Sequence, residues 1–230
     1  FREIGVLPKM HVGVMLSNTI DFPVAWLAFA RMGAVMVPIN PAYTATELDF
    51  LINDADVQFL VLEQDVLSVV RQMKKRPECL TDDRLVFVGP SPTGLGHLMD
   101  ELIANGSADF VPDAVVEQSS LMEIQYTSGT TGFPKGCMQS HRFWMLCGFN
   151  HEFNPDVYDT GAIISDAPFF YLDSQWMVMR TLCQGTPFYQ SEKMSRKKYN
   201  QRLVATNVEL AFTPTLLPDE PHPMEREHNV

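Results

Sequence analysis

The residues best suited to chemistry run Tyr126-Thr127-Ser128-Gly129-Thr130-Thr131-Gly132-Phe133-Pro134-Lys135-Gly136. Glycines at 129, 132 and 136 permit backbone conformations that bring N–H groups up to an anion. The hydroxyls of Thr127, Ser128, Thr130 and Thr131 add donors without bulk. Lys135 supplies a positive charge, so the set can make charge-assisted hydrogen bonds to the oxygens of a polyphosphate. The string is not a Walker A loop, because Lys135 follows Phe133-Pro134 and precedes Gly136 where that loop has Gly-Lys-Ser/Thr. As composition alone, the same residues also describe a flexible surface turn with a solvated lysine.

The rest of the chain gives a reason to look for such a device. Its 230 residues are 46% hydrophobic and 20% charged, ordinary globular values that allow one large or two small cores. A formal net charge of −11 argues against nucleic acid or an anionic membrane surface as partner. A protein whose average field repels phosphate must hold it locally. Cys79, Cys137, Cys147 and Cys183 are scattered, with no paired or metal-ligand spacing, so neither a disulfide framework nor a metal site is assigned. No apolar run reaches the roughly 20 residues that span a bilayer, and no signal peptide opens the chain, so a cytoplasmic protein is expected.

Alternating strand and helix patterns must position these residues. His11 to Leu16 reads as a buried strand. A helix follows, with Asp21 as N-cap, Pro23 in the first turn and Gly33 at the left-handed C-terminal position. After strand AVMVPIN, Thr44 to Glu47 has the capping-box form and Leu48, Leu51, Ile52 and Ala55 recur at helical spacing. Strand VQFLVL at 57–62, a helix near 65–75 ended by Pro77, and strand LVFVG at 85–89 continue the rhythm. Residues 90–120 read as loop and linker. Strand LMEIQYT at 121–127 then leads through the Gly/Thr loop into a helix from about Ser140. Strand AIISDA, a helix around Ser174 to Cys183, strand TPFYQ, a helix near 195–206 and strand VELAFTP complete the pattern. The expected fold is α/β, with mostly parallel sheets flanked by helices. Its first portion spans 1–117 and its second, carrying the loop, 118–230.

The ordered string TSGTTGxPKG resembles the phosphate-loop signature of the acyl-adenylate-forming superfamily, which includes acyl-CoA synthetases, luciferases and peptide-synthetase adenylation domains. The segment from Ala30 to Val61 resembles the upstream family region, and Asp166-Ala167-Pro168-Phe169-Phe170-Tyr171 resembles the segment usually written Pro-Leu-Phe-His. Gly185 with Glu192-Lys193-Met194-Ser195 resembles its continuation. Tyr171 stands where the family commonly has His, and Phe170 to Gln175 looks most like the carnitine and crotonobetaine CoA-ligase branch.

The resemblance implies an ATP-dependent carboxylate–CoA ligase, with MgATP, a small carboxylic acid and coenzyme A as reactants and a role in fatty-acid or carnitine metabolism. It implies that Thr127, Ser128, Gly129, Thr130, Thr131, Gly132, Lys135 and Gly136 hold ATP phosphates, and that Phe170, Tyr171, Asp173 and Gln175 lie near the acyl pocket. Asp173 and Gln175 equally suit a solvated helix start. His141 reads as a capping or packing residue, Trp176, Met177 and Met179 as core or pocket lining, and Arg196 to Lys198 as a solvated helix face. No catalytic residue is assignable. The family's later adenine-, ribose- and lysine-bearing motifs have no counterpart before Val230, so the expectation is a truncated N-terminal domain, without the C-terminal domain and inactive alone. Two rivals stay open, an adenylation domain that loads a carrier-protein thiol and a non-catalytic nucleotide-binding module. A homo-oligomer is compatible with each.

Overall fold

The computed structural model describes residues 1–92, 94–107, 109–127, 134–149 and 162–191, together with 201–203, 205, 208 and the backbone of 210–212. The chain forms two compact units, Phe1–Trp144 and Met145–Val230.

The first unit is a seven-stranded sheet with helices. Its strands are β1 (His11–Met15), β2 (Val35–Pro38), β3 (Val57–Glu63), β4 (Leu85–Val88), β5 (His97–Leu98), β6 (Leu121–Thr127) and β7 (Lys135–Ser140), in the order β5-β4-β3-β1-β2-β6-β7. Every neighbouring pair is parallel except β6 and β7. Valine and leucine runs in β1, β3 and β4 are buried, as a parallel sheet covered on both faces requires. One core cluster joins Val57, Leu60 and Leu62 of β3 to Leu48, Leu51 and Ile52, and reaches Ile124 and Tyr126 of β6.

The helices follow local chemistry. α1 (Asp21–Met32) ends at Gly33 with φ 76°, a left-handed position that a side chain would strain. Asp21 is not its N-cap; Ile20 holds that place, and Asp21 lies in the first turn, where a carboxylate still suits the helix dipole. α2 (Ala45–Asp54) carries the capping box: Thr44 Oγ1 accepts from the Glu47 N–H, and the Glu47 carboxylate accepts from the Thr44 N–H at 2.8 Å. α3 (Leu67–Arg71) is shorter than the helix expected over 65–75. Gln72 and Met73 still bond back to the last turn, but Asp49 of α2 captures the N–H groups of Lys74 and Lys75 at 2.8 and 3.1 Å and ends the helix there.

Two further expectations change. Residues 90–120 are not all loop, since β5 pairs with β4 and α4 (Met99–Ala104) follows it. The Gly/Thr loop does not join strand to helix: it lies between antiparallel β6 and β7, and α5 (His141–Phe149) comes only after β7. β7 is largely exposed and polar, so it lacks the buried alternation by which a strand is recognised. This hairpin completes the first sheet, within the compact unit Phe1–Trp144.

The second unit contains β8 (Ile163–Ser165), α6 (Leu172–Gln184), β9 (Phe188–Gln190) and β10 (Leu210–Phe212). Its strands form a parallel sheet in the order β10-β8-β9. Of the helix expected near 195–206, residues 201–203 and 205 are helical and the others lie outside the described residues. Among the described residues no helix is long and apolar enough to cross a membrane.

Candidate functional site

The phosphate-loop residues stand on the β6–β7 hairpin. Thr127 ends β6 and Lys135 begins β7, directly opposite each other, with Tyr126 facing Gly136 one rung inward. Thr127, Lys135 and Gly136 are exposed and Pro134 is half-buried. A hydroxyl, an ammonium group and their backbone therefore stand together at the mouth of the hairpin. Ser128, Gly129, Thr130, Thr131 and Gly132 lie outside the described residues.

The base of this hairpin is set by Tyr126. Strand alternation puts Ile124 and Tyr126 on the face that enters the core cluster shared with α2. A β-carbon added at Gly136 would stand 2.8 Å from Ile124 Cγ2 and 3.2 Å from Tyr126 Cζ, so the two side chains occupy the space that glycine leaves. Gly136 thus serves a close approach across the pair. The Tyr126 hydroxyl donates to Asp54 Oδ2 at 2.5 Å. Burial, then the hydrogen bond and the negative charge of Asp54, push the Tyr126 phenol well above its usual range, so it remains protonated. Neither the anchoring by Tyr126 nor the part of Asp54 was evident from motif reading. Alternation in LMEIQYT points Tyr126 inward, but its partner is 72 residues away.

At the hairpin's other end, the His141 N–H donates to Ser120 O at 3.0 Å and the Arg142 N–H donates to Gln118 O at 2.8 Å. His141 opens α5 and Ser140 Oγ accepts from the Phe143 N–H at 3.3 Å. The His141 imidazole is half-buried and Nε2 has no partner, so desolvation holds it below its ordinary range. This is the environment of a packing residue. Trp144, fully buried, meets Trp26 edge-on at 4.7 Å.

The segment proposed for the acyl pocket belongs to the second unit. Ser165 and Ser174, both fully buried, lie 3.1 Å apart. Ser174 donates to Ala167 O at 2.6 Å, the Ala167 N–H donates to Ser165 Oγ at 3.1 Å, and Gln190 Nε2 donates to Ala167 O at 2.7 Å. This staple fixes the turn after β8 that carries Phe169, Phe170 and Tyr171. The rings of Phe170 and Tyr171 meet at 4.6 Å, tilted by 53°, and Tyr171, 50% exposed, occupies the N-cap position of α6. Asp173 is exposed in the first turn. Gln175 is different: it has no accessible surface, and neither of its amide atoms has a hydrogen-bond partner. Asp173 and Gln175 sit two residues apart on α6 and do not share a face.

Asp166, just after β8, is a buried carboxyl. Desolvation pushes it above the usual carboxylate range, against the lowering effects of the Ser191 hydroxyl and the Arg202 guanidinium. Arg202 Nη1 donates to Ser191 Oγ at 2.6 Å beside a cavity of about 250 Å³ lined by Ile164, Tyr189, Gln190 and Arg202. Glu192 to Ser195 and Arg196 to Lys198 lie outside the described residues.

The profile of the family described as AMP-binding enzyme matches residues 1–218. The crotonobetaine/carnitine–CoA ligase of Salmonella typhimurium is 25% identical over 242 residues, covering 100% of this chain and 46% of that protein. Surfactin synthase subunit 1 of Bacillus subtilis is 29% identical over 223 residues, covering 95% of this chain and 6% of that protein. The N-terminal domain of FACL13 from Mycobacterium tuberculosis superposes with a TM-score of 0.76 at 21% identity, over 91% of this chain and 51% of that one. The last likeness establishes the fold. This chain spans about half the length of the crotonobetaine/carnitine–CoA ligases it matches.

Proposed function

The chain belongs to the AMP-binding enzyme family, and from that premise we propose that its gene product is an ATP-dependent carboxylate–CoA ligase. A carboxylate oxygen attacks the α-phosphorus of ATP as the bond to pyrophosphate breaks. The thiol of coenzyme A then attacks the acyl carbon of the adenylate, giving up its proton, and AMP leaves. The observation that carries this reading is the hairpin mouth, where Lys135 stands opposite Thr127 at the ends of the TSGTTGFPKG string.

These residues do electrostatic work rather than bond-making. Lys135 and the Thr127 hydroxyl would bind the β- and γ-phosphates and offset charge on the departing pyrophosphate. Hydroxyls, backbone N–H groups and one ammonium group are a donor set for phosphate oxygens and not for a metal. Mg²⁺ therefore fits as a companion of the nucleotide, supplying charge neutralisation there. Among the described residues no group of three or more His, Cys, Asp and Glu side chains could hold it. Phe170 and Tyr171, with exposed Asp173 beside them, are the side chains we place against the acyl group. Gln175, buried and with both amide atoms unpartnered, we place behind them as a polar group facing the same pocket.

Transfer to a carrier-protein thiol is the second reading, favoured by the match to surfactin synthase over 95% of this chain. Carboxylate-dependent exchange of labelled pyrophosphate into ATP tests both, using the full gene product and acids that include carnitine, crotonobetaine and fatty acids. Exchange with one of them is expected, and free coenzyme A should then accelerate AMP production. Exchange without that acceleration would favour the carrier-loading reading. No exchange with folded protein across the panel would remove both.

A further inference from the structure

The ladder beside β6 stops short of the site. The described position that β6 shares with β2 is Glu123 opposite Met36, and β2 runs only two residues further, to Pro38. That register puts Pro38 level with Gln125, so Tyr126 and Thr127 lie one and two residues past the end of β2, about 3 to 7 Å along the strand. Pro38 also has no N–H to offer a neighbour. On its other side, β6 pairs with β7, itself an edge strand. The end of the hairpin that presents Thr127 and Lys135 therefore lies just past the end of β2, where the described ladder pairs its two arms with each other.

A side-chain hydrogen bond ties this end of β6 to α2. The Tyr126 hydroxyl donates to Asp54 Oδ2, at the last residue of α2. Carboxylates are disfavoured at a helix C-terminus, where the dipole is negative, so Asp54 occupies a position that needs a compensating partner. α2 is in turn fixed by its capping box and by Leu48, Leu51 and Ile52 in the shared core. Meanwhile the Tyr126 ring lies over Gly136 on the opposite arm. A single side chain thus holds β6 through its own backbone, β7 through ring contact, and α2 through its hydroxyl.

We propose that Asp54 and Tyr126 are positioning residues for nucleotide binding, fixing the angle at which the hairpin presents Thr127 and Lys135 to the phosphates. This rests on the proposed nucleotide site and adds to it the part of a helix end remote in sequence. Neither residue needs to touch the nucleotide. Preorganisation of this kind acts on affinity, because a hairpin free to swing must be ordered when ligand binds.

The test measures the Kd for MgATP in the full gene product for Tyr126→Phe, Asp54→Ala, Asp54→Asn and the double variant Tyr126→Phe/Asp54→Ala. Circular dichroism and thermal melting report on the fold. Loss of one such hydrogen bond should raise Kd about three- to tenfold in Tyr126→Phe and in Asp54→Ala. Asp54→Asn keeps an acceptor for the phenol and should stay within about twofold of wild type, and the double variant should be no weaker than the weaker single one. A merely structural role would lower the melting temperature and leave the Kd of the folded protein unchanged, which would overturn the proposal. Asp54→Asn as damaging as Asp54→Ala would overturn it as well, since charge and not the tether would then matter. Wild-type protein that fails to bind MgATP would instead overturn the underlying nucleotide site. Asp54 is exposed, so its variants keep the test readable even if Tyr126→Phe disturbs the core.

Discussion

Adding one methyl group at Gly136 probes the hairpin most sharply. The φ of Gly136 is not in the left-handed region, so alanine is permitted by the backbone and the effect comes from contacts alone. Its β-carbon would stand 2.8 Å from Ile124 Cγ2 and 3.2 and 3.4 Å from Tyr126 Cζ and Cε2. Ile124 Cγ2 is attached at a branched β-carbon and cannot swing aside without changing rotamer. The Tyr126 ring is held by its bond to Asp54. Overpacking of this kind costs about 1 to 3 kcal/mol, from which the lower chain entropy of alanine returns about 0.4 to 1 kcal/mol. A net loss of about 1 to 2 kcal/mol corresponds to a fall in Tm of roughly 2 to 8 °C for a chain of this size. Thermal melting followed by circular dichroism measures it. Combining Gly136→Ala with Tyr126→Phe, which releases the ring, should cost less than the sum of the two single changes. A Gly136→Ala protein as stable as wild type, or strictly additive variants, would refute the packing argument.

Other outcomes follow from the buried titratable groups. Burial lowers the His141 pKa from its ordinary 6.5, so folding favours the neutral ring, and stability present above 6.5 is lost as pH falls through the folded value. His141→Gln should flatten that acid limb in melting temperatures recorded across pH; an unchanged limb would show that the ring stays solvated. Asp166 has the opposite sign for a carboxyl: its folded pKa is raised above 3.8, so its contribution is greatest at low pH and is lost as pH rises through the folded value. Asp166→Asn should therefore melt higher than wild type at neutral pH, and a lower melting temperature would show that the Ser191 and Arg202 contacts outweigh burial. Thr44→Ala removes the reciprocal cap of α2 and should cost about 1 kcal/mol in chemical denaturation; no loss would mean that the core alone holds the helix.

What could be read in advance was local. The capping box at Thr44 and Glu47, Gly33 closing α1, and the bounds of β6 depend on neighbours in sequence and on a burial pattern with a fixed period. β7 escaped because an exposed edge strand of Lys, Gly, Cys, Met, Gln and Ser has no buried face to reveal it. β5 and α4 escaped because each is short and sits in a stretch rich in turn residues. The chemical types at the site were legible in one string, whereas their support was not. Tyr126 finds Asp54 only once α2 and β6 pack into one core. For the acyl segment, a sequence that looks like one continuous pocket lining separates into exposed Tyr171 and Asp173 and a Gln175 turned wholly inward.

The most direct test of the nucleotide assignment is the Kd for MgATP of the full gene product with Lys135 intact and with Lys135→Ala. Lys135 is exposed, so the variant should melt within a degree or so of wild type while binding weakens by about 1 to 3 kcal/mol, roughly fivefold or more in Kd. Equal affinity in two well-folded proteins would contradict the claim that this hairpin holds the phosphates.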